Sequence, residues 1–234
     1  AALAHAEDMI REGTAILDIG GESTRPGHQQ ITEEEEIERV APVIEAVKAR
    51  FDVPVSIDSY KAKVAAAAIE AGADLVNDIW GLKYDPDMAG LIARTGVACC
   101  LMHNKNNTEY QDFYPDMLRE TAECVKLAKE AGIADDKIIL DPGVGFGKNY
   151  EQNLETILHM ERFHELGYPM LLGTSRKSVI GLTLDLPADQ RVEGTLVTTV
   201  MAVMKKYAFV RVHDIKENQR TIRMTEAILK AGEN

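Results

Sequence analysis

Short apolar runs alternate with longer stretches of helical periodicity along this chain. The runs fall at residues 15–20, 53–57, 74–79, 97–102, 137–140, 168–172 and 208–212, and several are rich in Val and Ile. They are continuous rather than alternating, as parallel strands covered on both faces should be. Helical patterns fill the spaces between them, at residues 33–50, 61–71, 115–131, 151–166, 191–206 and 216–230, and an amphipathic helix opens the chain at 1–13. Gly13, Gly72, Gly132 and Gly167 stand where helices should stop. The acidic run Glu33 to Glu36 suits the first turn of a helix, facing its positive end. About seven strand-helix units result, with no linker to divide them. The expected fold is α/β, a (β/α)8 TIM barrel formed as one domain over residues 1–234. Because the chain opens on a helix, the first β-strand is expected to be missing from it. A doubly wound open sheet is the structural alternative.

In a β/α barrel the chemistry sits at the C-terminal strand ends. Polar groups follow nearly every apolar run. Gly-Gly-Glu-Ser-Thr-Arg-Pro-Gly occupies 20–27, Asp58 and Ser59 end the second run, and Asn77 and Asp78 the third. His103, Asp141 with its glycine-rich successor, Ser175 to Ser178, and Arg211 to Asp214 complete the series. Charges abutting buried strands are costly unless they have partners or work to do. Asp58, Asn77 and Asp141 suit a ring rich in N–H donors, while Arg25, Lys177, Arg211 and His213 suit a polyanion such as pyrophosphate. Each has a plainer reading: a helix cap for Asp58, a turn for Asp141, a solvated rim position for Lys177, and structural roles for Asp78 and His103. Their recurrence at one architectural position weighs against all the plain readings at once. The glycines at 143–147 lack the Lys-Ser/Thr ending of a P-loop.

Composition narrows the partners. A net charge of -12 repels nucleic acid and anionic lipid. No apolar run reaches about 18 residues, which argues against a membrane span. Three cysteines make neither a disulfide framework nor a CxxC metal site, and fit buried thiols in a reducing cytoplasm.

The ordered set of Gly-Gly-Glu-Ser-Thr-Arg-Pro-Gly (20–27), Ser-Ile-Asp-Ser (56–59), Asn-Asp-Ile (77–79), Leu-Met-His (101–103), Asp-Pro-Gly-Val-Gly-Phe (141–146), Gly-Thr-Ser-Arg-Lys-Ser (173–178) and Arg-Val-His-Asp (211–214) resembles dihydropteroate synthase, across essentially the whole chain. The resemblance implies a TIM barrel that joins a pterin pyrophosphate to p-aminobenzoate. It assigns the pterin to Asp58, Asn77, Met102, Asp141 and Lys177, and the pyrophosphate to Thr24, Arg25, Arg211 and His213. It assigns p-aminobenzoate, with which sulfonamides compete, to Thr24, Pro26, Phe146, Lys177 and Ser178. Asp58, Asp141, Lys177 and Arg211 would carry the catalysis. A homodimer built on helices near the chain's end and a Mg²⁺ cofactor are also implied. The family pattern begins with a strand carrying an Asn that helps hold Mg²⁺, then a loop of the type Thr-Pro-Asp-Ser-Phe-Ser. Neither occurs here, so no metal ligand is assigned. A pterin-binding barrel without activity, a corrinoid-linked pterin methyltransferase and a Schiff-base aldolase using Lys177 are the competing expectations.

Overall fold

The computed structural model describes residues 2–23 and 29–232. Thr24, Arg25 and Pro26 therefore lie outside the described residues. The strands described are β1 (Leu17–Ile19), β2 (Val55–Asp58), β3 (Leu75–Asp78), β4 (Ala98–Met102), β5 (Ile138–Asp141), β6 (Leu171–Leu172) and β7 (Phe209–Val210). The helices are α1 (Ala2–Arg11), α2 (Glu33–Arg50), α3 (Ala62–Glu70), α4 (Met88–Thr95), α5 (Phe113–Glu130), α6 (Tyr150–Leu158), α7 (Ser178–Leu184), α8 (Val192–Met204) and α9 (Ile215–Ala231). Every strand is followed by a helix, and every strand pair with a recorded register is parallel. This is the parallel α/β class that the apolar runs predict.

The chain divides into two compact units. The first comprises Ala1–His103 and Thr121–Ile139. Its strands β1, β2, β3 and β4 are neighbours in that order. Ile57 pairs with Val76, and Asp58 with Asn77, so two polar strand ends stand side by side. α2 buries Val40, Ile44 and Val47, a stripe with helical spacing. Each such side chain contributes about 1.5–3 kcal/mol on burial. Thr32 starts this helix by accepting the Glu35 N–H at 3.1 Å. Glu36 continues the same stripe one turn earlier and is almost fully buried. One member of the acidic run thus lies inside rather than facing the dipole from solvent.

The second unit comprises Asn104–Glu120 and Leu140–Asn234. Leu140 bridges Met170 in parallel, and Leu171–Leu172 pairs with Phe209–Val210. Two helical expectations need correction. The pattern at 151–166 is broken at His159: α6 stops at Leu158 and a 3-10 segment runs Met160–Leu166. α4 and α7 also escape the periodicity, each being eight residues or fewer.

Candidate functional site

In the first unit, Asp58 and Asn77 occupy the C-terminal ends of adjacent strands and are both buried. The Asn77 amide donates to Asp58 Oδ1 at 3.3 Å. Gly20 covers Asp58: a Cβ there would stand 3.4 Å from the Asp58 Cβ. The cap reading of Asp58 fails, because the N–H of Ala62 at the start of α3 is taken by Asp85 at 2.8 Å. Asp78 points the other way, as strand alternation requires, and accepts the N–H groups of Trp80 and Leu82 at 2.8 Å each. Burial pushes its carboxyl up to about 6 despite those bonds. Met102 and His103, at the end of β4, are buried.

The same unit holds a buried charged network. Lys61 Nζ donates to Glu22 Oε2 at 2.7 Å, Glu36 Oε2 at 2.8 Å and the Ile31 carbonyl at 2.9 Å. Glu22 also accepts the Tyr60 hydroxyl at 2.6 Å and the Ile31 N–H at 3.0 Å. Burial works to lower the Lys61 pKa, but bonding to the two carboxylates outweighs it and raises the value. One signal was available in the sequence: a Glu on the apolar stripe of α2 needs a buried cation.

In the second unit, Asp141 ends β5 and is buried. Its Oδ1 accepts the Gly143 N–H at 2.7 Å, so the turn reading holds for one oxygen. Oδ2 faces Gly173, where a Cβ would lie 3.5 Å from it and 3.9 Å from Lys177 Nζ. Carboxylate and ammonium thus converge over a glycine. Burial raises the Asp141 pKa, and the positive charges of Lys177 and Arg211, with the Gly143 N–H, oppose it.

Lys177 is not a solvated rim lysine. Its Nζ donates to the Val144 carbonyl at 2.5 Å and stands 4.7 Å from the centre of the Phe146 ring. Gly145, at φ +89°, admits this crossing, since a Cβ would meet Lys177 Cδ at 3.2 Å. Ser178 is exposed at the first position of α7.

Arg211 and His213 follow β7 directly and are exposed. The Arg211 N–H bonds the Leu172 carbonyl at 3.0 Å, extending the β6–β7 register to the functional position. Ser175 accepts the His213 N–H at 3.1 Å and lies 2.8 Å from Nδ1, fixing the ring. Arg176, beside Lys177, has its charge committed within the protein. Its guanidinium forms a two-point ion pair with Asp214, so it clamps two loops together.

Arg176 has φ +57°, unusual for a side chain with a Cβ. Anchors on every side hold it there. Its N–H donates to Thr195 Oγ1 at 3.1 Å, and Arg191 Nη1 donates to its carbonyl at 2.9 Å and to that of Lys177 at 3.3 Å. Gly181 leaves room for Arg191: a Cβ there would fall 2.2 Å from the guanidinium carbon. The Gly181→Ala variant is therefore expected to push Arg191 off both carbonyls and lose about 2 kcal/mol of stability in urea unfolding. An unchanged midpoint and activity would show that Arg191 is not a needed anchor.

Among the described residues, no group of three or more His, Cys, Asp or Glu side chains comes together to hold a metal ion. Of the positions assigned to the pyrophosphate, the two that are described, Arg211 and His213, are an obligate cation and an imidazole, so they make no Mg²⁺ donor set by themselves. No helix among the described residues is long and apolar enough to cross a membrane.

Parallel strands that deliver polar groups at their C-terminal ends define a β/α protein of the class that builds its ligand site there. A family model described as pterin binding enzyme matches residues 1–213. The dihydropteroate synthase of Clostridium beijerinckii is 59% identical over 230 residues, which is 98% of this chain and 86% of that protein. That of Bacillus subtilis is 50% identical over 231 residues, 99% of this chain and 81% of that protein. Among solved structures, dihydropteroate synthase from Clostridium difficile in the presence of pteroic acid matches with a TM-score of 0.95 and 46% identity, covering 97% of this chain and 86% of that one. The Yersinia pestis enzyme in a sulfonamide drug complex matches at 0.94 and 40% identity, covering 97% and 85%. The chain belongs to the dihydropteroate synthase family.

Proposed function

We propose that this chain, as a single pterin-binding domain, condenses 6-hydroxymethyl-7,8-dihydropterin pyrophosphate with p-aminobenzoate to give 7,8-dihydropteroate and pyrophosphate. The observation that carries this reading is the convergence of Asp141 and Lys177 over Gly173, with Phe146 stacked on the same lysine. A carboxylate, an ammonium and an aromatic wall at one strand end suit a donor-rich ring and an aryl group.

The reaction breaks the bond between the pterin methylene and the pyrophosphate oxygen, which leaves with the electron pair. The arylamine nitrogen supplies the lone pair for the new C–N bond and then loses a proton to solvent. An electron-rich pterin stabilises positive charge on the methylene, so bond breaking runs ahead of attack. Asp58, Asn77, Met102, Asp141 and Lys177 are assigned to the pterin. The carboxylates pair with its N–H edge and favour the developing cation. Arg211 and His213 are assigned to the departing pyrophosphate, with Thr24 and Arg25 from outside the described residues. Phe146, Lys177 and Ser178, with Thr24 and Pro26, are assigned to p-aminobenzoate. Asp58, Asp141, Lys177 and Arg211 are the catalytic set. Mg²⁺, when bound, would supply charge neutralisation for the pyrophosphate, though the described residues make no donor set for it.

The reading extends to a cytoplasmic homodimer. Supporting the dimer, α7, α8 and α9 expose Leu182, Val197, Met204, Met224 and Ile228 to solvent. The cytoplasm fits the three buried free cysteines.

The direct test is pyrophosphate release from pterin pyrophosphate, with and without p-aminobenzoate. Release that depends on p-aminobenzoate supports the reading, and binding without turnover overturns it. In the same assay, Arg211→Ala is expected to reduce turnover by about 10²-fold. Binding of a pterin that lacks pyrophosphate should change less than about twofold. Equal losses for the two ligands would remove Arg211 from the pyrophosphate.

A further inference from the structure

We infer that Lys148 is a positioning residue for the arylamine: its buried amino group holds the loop that presents Phe146 and so sets the wall against which p-aminobenzoate reacts. The inference rests on the reading above and adds a residue to it.

The loop from Gly143 to Gly147 has glycines at φ +70°, +89° and +57°, and one backbone bond of its own, from the Phe146 N–H to the Gly143 carbonyl at 3.0 Å, closes its turn. It is held from within by Lys148, whose Nζ donates to the Gly143 carbonyl at 3.0 Å and to the Phe146 carbonyl at 3.0 Å. These two carbonyls bracket the segment that meets Lys177, which grips the Val144 carbonyl between them. Secondary ties complete the frame. Asn153 accepts the Gly145 N–H at 2.6 Å and donates to the Lys148 carbonyl at 3.2 Å, and the Tyr110 hydroxyl donates to the Gly147 carbonyl at 2.7 Å. Removing Lys148 frees the carbonyl of Phe146, so the backbone that carries the ring is held by its N–H alone.

Lys148 is a buried cation, which is costly unless something requires it. Asp141 attracts it and Lys177 repels it, with Glu120 and Lys105 acting more weakly. Burial is the largest influence and pushes the amino group down to about 7. Loss of the proton still leaves two N–H donors for the two carbonyls, so the grip on the loop survives in either charge state. A Met of similar length fills the space and donates nothing.

The test is steady-state kinetics on the full-length protein, wild type beside Lys148→Met, Lys148→Gln and Tyr110→Phe, with each substrate varied in turn. Lys148→Met is expected to raise the KM for p-aminobenzoate by about tenfold while the KM for the pterin pyrophosphate stays within about twofold. Lys148→Gln, which keeps a donor, should fall between wild type and Met. Tyr110→Phe loosens the same loop without touching a charge and should raise the p-aminobenzoate KM by about threefold, so the inference stays testable if the Met variant does not fold. A lower melting temperature with both KM values unchanged in Lys148→Gln and Tyr110→Phe would reduce Lys148 to a structural residue and overturn the inference. A pterin KM that rises as much as the arylamine KM would overturn it as well. A wild-type protein with no p-aminobenzoate-dependent release overturns the proposed function itself, and this inference with it.

Discussion

Replacing Lys61 with methionine is expected to destabilise the protein by about 3–5 kcal/mol, a large share of the stability of any single domain. The side chains of Lys61, Glu22 and Glu36 are 9%, 2% and 2% exposed, so water screens none of them. Each of the three ammonium hydrogens has an acceptor: two carboxylates and the Ile31 carbonyl. Methionine fills much the same volume, so the loss is not a cavity effect. It arises because two buried carboxylates lose the cation that makes their burial tolerable. The damage extends to the protein's chemistry, because Glu22 and Ile31 flank in sequence the Thr24, Arg25 and Pro26 positions assigned to substrate. The cause can be isolated with a second change. In Lys61→Met combined with Glu36→Gln, one buried charge is gone and part of the stability should return. Urea unfolding of the two variants decides the matter. A single variant within about 1 kcal/mol of wild type would mean that the network has the weak energetics of a surface pair.

The network also shows what the sequence can and cannot disclose. Asp58, Asn77 and Asp141 are legible because each ends an apolar run, and a strand's direction then carries it to the working end. Lys61 and Glu22 are 39 residues apart, and no local pattern joins them. Lys61 looks like the solvated start of a helix and Glu36 like one of four acids in a first turn. Pairing becomes visible only when the fold supplies the distance. Lys148 is hidden for a related reason: it follows a glycine loop and bonds backbone carbonyls, which carry no residue identity. Arg176 is hidden as well. In the sequence nothing sets it apart from its neighbour Lys177, whereas its charge is committed to Asp214. The short helices α4 and α7 fail to show because two turns present too few positions for a period to emerge.

Asp141→Asn is expected to reduce turnover by about 10²–10³-fold with little loss of stability. The substitution separates the residue's two jobs. The amide oxygen of Asn can still accept the Gly143 N–H, so the turn that follows β5 should survive. The other atom, on the side of Gly173 and Lys177, becomes a donor where the proposed pterin requires an acceptor. The negative charge that would favour a cationic methylene is lost with it. The pH profile offers an independent check. Burial raises the Asp141 pKa above the usual carboxylate value, only partly offset by Lys177, the Gly143 N–H and Arg211. If the ionised form binds the pterin, kcat/KM should fall with acid through that raised pKa, at a higher pH than an ordinary carboxylate would impose. The stability term has the opposite sense. A carboxyl whose folded pKa lies above its unfolded value weakens the fold as pH rises through that window, so Asn should relieve a cost at neutral pH. The variant is therefore expected to be nearly inactive, to lack the acid limb, and to unfold at a urea concentration no lower than wild type. Retained turnover with an unchanged acid limb would take Asp141 out of the chemistry and leave it the turn residue that its bond to Gly143 already makes it.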